Sequence, residues 1–79
     1  MDEIEEGKAQ FLDVVKAIDA AVQVVIPTVA SNSMFLISLT KGANRKFISV
    51  PEDDILDLVN EADIRAKVVQ VVKDTVAAL

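Results

Sequence analysis

The sequence predicts an α+β fold with an N-terminal helix, an antiparallel β-meander of two or three strands, and two C-terminal helices packed on one sheet face. Apolar residues recur at helical spacing in the first quarter of the chain, and they do so again in the last third. Between these regions, apolar and polar residues alternate on either side of a short loop. Since the chain has only 79 residues, we expect one small domain spanning 1–79.

The first segment is predicted to be a helix because its apolar residues share one stripe at about 100° per residue. These residues are Ile4, Phe11, Val15, Ile18 and Val22. Val24 leaves the stripe, and the following residues are mostly β-branched and include Pro27. We therefore predict a short edge strand at about residues 23–29. A first helix that continues to Pro27 is the alternative.

The middle of the chain is predicted to be a turn followed by a β-hairpin. Residues 30–33 read Ala-Ser-Asn-Ser, in which Ser and Asn favour turns. Residues 34–40 form the clearest strand, residues 41–44 (Lys-Gly-Ala-Asn) form the hairpin loop, and residues 45–50 form the returning strand.

The two faces of this hairpin differ in composition. With a loop of two or four residues, one face is apolar except for Lys46 and carries Phe35, Ile37, Leu39, Ile48 and Val50. The other face is mixed, too apolar for an ordinary solvated surface and too polar for a core. It carries Met34, Leu36, Ser38, Thr40, Arg45, Phe47 and Ser49.

Two helices are predicted after the hairpin rather than one. Ser49 and Glu52 have the spacing of a capping box, which predicts a short helix that continues through Val59. A single helix over residues 51–78 would be about 42 Å long, which exceeds the roughly 30 Å diameter expected for a globule of this length. We therefore place a turn at Asn60, with Asn60 as the cap of the last helix.

The last helix, predicted to end near Ala78, is apolar over about half of its circumference. Its apolar residues are Ile64, Val68, Val69, Val71, Val72, Val76 and Leu79. On its polar side, Glu61–Arg65 and Asp63–Lys67 have the spacing of ion pairs within one helix.

The composition argues against an enzyme. The chain has no His, Cys, Tyr or Trp, so the usual general base and the best side-chain nucleophile are absent. Two glycines in all provide no phosphate-binding loop. We expect no catalytic residue, no metal site and no cofactor. The best carboxylate cluster is Asp53, Asp54, Asp57 and Glu61, and stabilisation of a helix N-terminus explains it better than cation binding does.

Charge is distributed unevenly along the chain. The net charge is −5, but residues 25–50 contain three bases and no acid between two segments of net charge −4. The bases Lys41, Arg45 and Lys46 lie at the hairpin tip, which is the one candidate binding group in the sequence. A small regulator that contacts nucleic acid through this tip is an alternative function, although three charges bind weakly and the acidic surroundings repel phosphate. An acidic inhibitor of a partner protein is a further alternative.

The function that the sequence favours is a non-enzymatic protein–protein interaction module that associates with itself. The valine-rich helix and the mixed sheet face together offer more apolar surface than one small core needs, and such a surface often marks an interface. We expect a protein partner, with a homodimer first, and neither nucleic acid nor membrane. Residues 20–40 lack charge but contain a central Ser-Asn-Ser, which argues against a membrane span. The acidic N-terminus argues against export, so we expect a cytoplasmic protein.

Overall fold

The computed structural model describes residues 3–79 and confirms the α+β fold. Its elements, in chain order, are α1 (Glu3–Ile18), β1 (Gln23–Val25), β2 (Met34–Lys41), β3 (Asn44–Pro51), α2 (Glu52–Asp57) and α3 (Ala62–Ala77). The three strands form one antiparallel sheet in the order β1-β2-β3. Helix α1 contacts both α2 and α3, and the buried residues of the helices form one core with the inner face of the sheet.

Helix α1 ends at Ile18, where the Asp19 side chain accepts a backbone hydrogen bond that takes the chain out of the helix. The Asp19 amide still donates to the Val15 carbonyl at 2.9 Å, which closes the last helical turn. The Asp19 side chain then accepts a hydrogen bond from the Ala21 amide at 2.9 Å. This local turn offers the backbone an alternative to further helix, so the chain leaves α1 after Ile18.

Strand β1 confirms the predicted edge strand, with narrower bounds than expected. It pairs with β2 through Gln23 opposite Thr40 and Val25 opposite Ser38. In an antiparallel strand, every second residue donates its backbone N–H to the same neighbouring strand. After Gln23 and Val25, the next such residue would be Pro27, which has no N–H. The strand therefore ends at Val25, and the alternative of a helix continuing to Pro27 is wrong.

Both turns of the meander require left-handed backbone conformations. The turn before β2 places Asn32 at φ 52° and Ser33 at φ 62°, in the region that prefers glycine and asparagine. The hairpin turn between β2 and β3 is two residues long, Gly42 and Ala43, with Gly42 at φ 61°. Glycine at the first position of such a turn suits the twist of the flanking strands.

The hairpin register confirms the predicted apolar face. Phe35 lies opposite Val50, and Ile37 lies opposite Ile48. These side chains are buried beneath the helices, whereas their neighbours along each strand point to the opposite side. The core residues are Phe11, Val14, Val15, Val22, Phe35, Ile37, Leu39, Ile48, Val50, Ile55, Leu58, Val68 and Val72.

The predicted helix caps are wrong. Ser49 lies inside β3, and α2 begins after Pro51 without a side-chain cap, so Ser49 and Glu52 form no capping box. The Glu52 amide instead donates to the Ser33 carbonyl at 2.8 Å, because the hairpin register continues up to Pro51 and brings the two chain segments together.

The turn between the two C-terminal helices is present, but its details differ from those predicted. Helix α2 ends at Asp57 rather than Val59. The residue that precedes α3 is Glu61 rather than Asn60, and Glu61 makes no side-chain cap. Leu58 is buried and fixes the chain at this point, so packing rather than capping decides where the helices end.

The two ion pairs predicted within α3 do not form among the described residues. Arg65 instead donates to the Gln10 side chain of α1 at 2.9 Å. Lys67 pairs with Asp54 of α2 at 2.9 Å. Both bases thus reach side chains of neighbouring helices.

Candidate functional site

The side of the sheet away from the helices is the main candidate surface, and we call it the outer face. Its side chains are mostly exposed or half-buried, whereas the alternating residues on the other side belong to the core. The outer face carries Gln23, Val25, Met34, Leu36, Ser38, Thr40, Arg45, Phe47, Ser49 and Pro51. The mixed face expected from the sequence is therefore the one that the helices leave uncovered.

Three large apolar side chains of the outer face are more than half exposed. The exposed fractions are 64% for Val25, 56% for Leu36 and 57% for Phe47. Val25 and Phe47 flank Ser38 in one row across the three strands, and Leu36 is the next outer-face residue of β2. Leu36 is a diagonal neighbour of both Val25 and Phe47, at about 7 to 8 Å, so the three side chains lie close together around Ser38 as one apolar patch.

Within residues 3–79, the outer face also carries no acidic side chain. Between Asp19 and Glu52 the sequence contains no Asp or Glu, so every acid of the chain lies outside the sheet strands. Of the strand residues that the structure describes, Arg45 is the one with a charge on the outer face. Among residues 3–79, the acids therefore lie on the helices or in the segments next to them, and none lies on the outer face.

Strand β3 forms one edge of the sheet and pairs with β2 alone. Lys41 and Asn44 flank the two-residue turn, and such a pair exchanges both of its backbone hydrogen bonds. Every second residue of β3 from Asn44 onward forms backbone hydrogen bonds with β2. The N–H and C=O groups of the residues between them, Arg45, Phe47 and Ser49, therefore point away from β2. Within the part of the chain that the structure describes, the outward N–H and C=O groups of these three residues have no backbone partner.

An apolar cleft of about 50 Å³ runs between β3 and α3 on the inner side of this edge. Its walls include Ile48, Val50, Val68 and Val71, and Val71 is 41% exposed. The β3 edge is thus bordered by exposed apolar side chains on both sides, Phe47 on the outer face and Val71 on α3.

One end of the cleft is closed by a charged pair. The Asp54 carboxylate lies 2.9 Å from the Lys67 amine, and the side chains are 11% and 60% exposed, respectively. Burial of a carboxylate is unfavourable without such a partner. We interpret this pair as a structural contact that joins α2 to α3.

The three bases of the predicted binding group do not form one surface. Lys41 and Lys46 lie on the inner side of the hairpin, whereas Arg45 lies on the outer face. Lys41 forms an ion pair with Asp19 at 2.5 Å, and Arg45 donates to the Thr40 hydroxyl at 3.4 Å. The binding of a partner by Lys41, Arg45 and Lys46 stays a prediction.

The Asp19–Lys41 pair changes the acidity of the carboxyl group. The hydrogen bond from Lys41, followed by the one from the Ala21 amide, holds the pKa of Asp19 below its ordinary value of 3.8. This contact fastens the hairpin to the end of α1, which gives Lys41 a structural role in the monomer.

The acidic cluster of α2 is spread over different directions. Asp53, Asp57 and Glu61 are exposed, whereas Asp54 is turned toward Lys67. Within residues 3–79, no group of three or more Asp, Glu, His or Cys side chains is arranged to hold a metal ion. In the same part of the chain, no helix is long and apolar enough to cross a membrane.

Two structurally important residues, Gly7 and Lys8, were not predicted from the sequence. Gly7 is buried where α1 crosses α2. A glycine inside a helical pattern often has a packing role, and this was the sequence signal that could have identified Gly7. Lys8 donates to the Thr28 carbonyl at 3.1 Å, and its amine lies 5.2 Å from the centre of the Phe35 ring. No sequence signal points to that contact, which ties the loop after β1 to α1.

The chain matches no protein-family model, no curated protein and no solved structure. The outer face, the β3 edge and the cleft beside it are the features of the structure that bear on function.

Proposed function

We propose that this protein is a non-enzymatic interaction module that associates with a second copy of itself through its sheet. The observation that carries the proposal is the apolar patch of Val25, Leu36 and Phe47 on the uncovered outer face. Large apolar groups that remain exposed together, rather than singly, usually mark a surface that another protein covers.

The charge distribution favours a second copy as the occupant. Two chains of net charge −5 repel each other, and this repulsion is weakest when their acidic parts are far apart. All the acids lie outside the sheet strands, so contact through the sheets keeps the acidic helices at a distance. A basic partner would instead be expected to bind the acidic helices.

The size of the patch sets the expected affinity. Complete burial of a Leu or Phe side chain contributes about 1.5 to 3 kcal/mol, and these residues are already partly covered in the monomer. Association also costs at least about 4 kcal/mol in lost translational and rotational freedom. We therefore expect a dimer with a dissociation constant in the micromolar range, where binding is worth about 8 kcal/mol or less.

Sedimentation equilibrium over about 5 to 500 μM protein tests the proposal, because this range brackets a micromolar dissociation constant. We expect the mass to rise from monomer to dimer with concentration. The double variant Leu36→Ser with Phe47→Ser should stay monomeric at concentrations where the unmodified chain is mostly dimeric.

The matched control is Val59→Ser, which removes a 39% exposed apolar side chain from the turn between α2 and α3. This variant should dimerise like the unmodified chain. A chain that stays monomeric throughout the range would overturn the proposal. Equal dimerisation of the double variant and the control would also overturn it.

A further inference from the structure

We infer that the two copies pack outer face on outer face with their strands in opposite directions, so that Leu36 of each copy fills a hollow over Ser38 of the other. This geometry rests on the proposed self-association, covers the apolar patch and specifies how the two sheets meet. The two-fold axis then lies between the sheets and across the strands, level with Ile37 of β2. Each strand lies over the same strand of the second copy.

The hollow over Ser38 favours this register. Val25, Ser38 and Phe47 form one row across the three strands, and the small Ser38 is half-buried between two larger side chains that are more than half exposed. Leu36 projects from the same face two residues away along β2 and is 56% exposed. Two identical faces can therefore interlock, since position 36 of each copy lies over position 38 of the other. The two-fold symmetry makes this contact twice.

The outline of the outer face favours aligned strands. Strands β2 and β3 have eight residues each. The face is therefore about 26 Å long, whereas three strands are only about 10 to 14 Å wide. Stacked sheets keep their strands within about 30° of each other or cross them at nearly right angles. A right-angle crossing would leave about half of this narrow face uncovered, so aligned strands bury the larger area.

Charge favours opposite over equal strand directions. Glu52 and Asp53 lie in the first turn of α2, directly after β3 ends at Pro51. Strands that run in the same direction would bring the acidic turns of both copies to the same end of the dimer, where they repel each other. Strands that run in opposite directions place these turns at opposite ends. The low repulsion expected for contact through the sheets is thus retained.

Arg45 provides a matching attraction between the copies. In the monomer, its side chain is exposed and donates to the Thr40 hydroxyl at 3.4 Å, a long hydrogen bond that leaves the charge available. With the axis level with Ile37, position 45 of each copy lies over Pro51 of the other, one residue before Glu52. The guanidinium group then approaches the acidic first turn of α2 in the second copy. Such complementary charges at the rim of an interface fix its orientation.

A shift of the axis by one residue removes both favourable contacts. An axis level with Ser38 places Ser38 and Phe47 opposite their own copies, so the hollow stays empty. The same shift moves Arg45 over Ser49 of the second copy, farther from the acidic turn. Shape and charge therefore favour the same register independently.

Charge-swap variants test the geometry by sedimentation equilibrium. Arg45→Glu and Glu52→Lys each place like charges at both contacts of a homodimer, so each variant alone should dimerise at least about tenfold more weakly than the unmodified chain. A heterodimer of the two variants has opposite charges at both contacts. Their equimolar mixture should therefore dimerise within about threefold of the unmodified chain. Circular dichroism checks that each variant is folded.

Lys46→Glu is the matched control, because it makes the same change of charge at the next residue of β3, on the inner side of the sheet. Its mixture with Glu52→Lys should dimerise more weakly than the mixture of Arg45→Glu with Glu52→Lys, since one contact then joins two bases. If the unmodified chain dimerises but the two mixtures dimerise equally, the inferred geometry is overturned while the proposed self-association stands.

Isotope-filtered NOE spectra of mixed labelled and unlabelled chains provide a second measurement on the unmodified sequence. Opposite strand directions predict NOEs from the Leu36 methyl groups of one copy to the Phe47 ring of the other, because Phe47 borders the hollow over Ser38. Equal strand directions, with the axis along β2, would instead place Val25 over Phe47 of the second copy. NOEs between Val25 and Phe47 of different copies would therefore overturn the inferred geometry.

Discussion

The α-carbon of Gly7 in α1 lies against the backbone of Ile55 in α2, with no room between them for a side chain. A β-carbon on Gly7 would lie 2.7 Å from the Ile55 methyl carbon Cγ2 and would overlap the Ile55 carbonyl group. Since Ile55 is fully buried, neither partner has space to move aside. The absence of a side chain at Gly7 thus allows α1 and α2 to cross closely over the core.

The first prediction is that Gly7→Ala destabilises the protein by about 2 kcal/mol or more, because the added methyl group overpacks the helix crossing. Helix propensity alone predicts the opposite sign, with alanine better than glycine by about 1 kcal/mol. Urea unfolding followed by circular dichroism measures the difference. Ala17→Gly, at an exposed position of α1, is the control and should cost about 1 kcal/mol through propensity. A Gly7→Ala variant more stable than the unmodified chain would contradict the close crossing.

The second prediction concerns pH and the Asp19–Lys41 pair. The pKa of Asp19 is lower in the folded chain than its ordinary value of 3.8, so the unfolded chain binds this proton more readily. The stabilisation is therefore complete above the unfolded pKa and is lost as the pH falls through the folded pKa. Carboxyl carbon shifts followed by NMR should show the pKa of Asp19 rising in Lys41→Met.

Lys46→Met is the matched control for this titration, because it removes a base from the same hairpin without touching Asp19. It should leave the pKa of Asp19 close to that of the unmodified chain. If both variants raised the pKa equally, general charge rather than the direct hydrogen bond would be responsible. If neither did, the Lys41 contact would be absent in solution.

The third prediction concerns the strained turn before β2. Ser33 has φ 62°, where a β-carbon is unfavourable, and its carbonyl accepts the Glu52 amide at 2.8 Å. Ser33→Gly keeps this backbone hydrogen bond and relieves the strain, so we expect the free energy of unfolding to rise by up to about 1 kcal/mol. Asn32→Gly should have a smaller effect, since asparagine tolerates this conformation. Denaturant unfolding that ranked Asn32→Gly above Ser33→Gly would contradict this assignment of strain.

The elements with local, periodic signals could be predicted from the sequence. Apolar residues at a spacing of two fixed which side of the hairpin faces the core, since a shift of one residue would have exposed Phe35 and Ile37. The length of the last third required a break between two helices, and the longest dimension of the fold, 33 Å, agrees with that argument. Pro27 also indicated an edge strand, although the predicted bounds of 23–29 ran past the end of β1 at Val25.

The partners of individual polar and small residues depend on tertiary packing and could not be predicted from the sequence. The capping box at Ser49 failed because the hairpin register carried that residue into β3. The expected ion pairs within α3 failed because Gln10 and Asp54 came within reach of Arg65 and Lys67. Such contacts join residues far apart in the chain, and several partners of similar energy compete for each charge. Which partner each charged side chain contacts depends on how the helices pack on the sheet, and that packing has no local signal in the sequence.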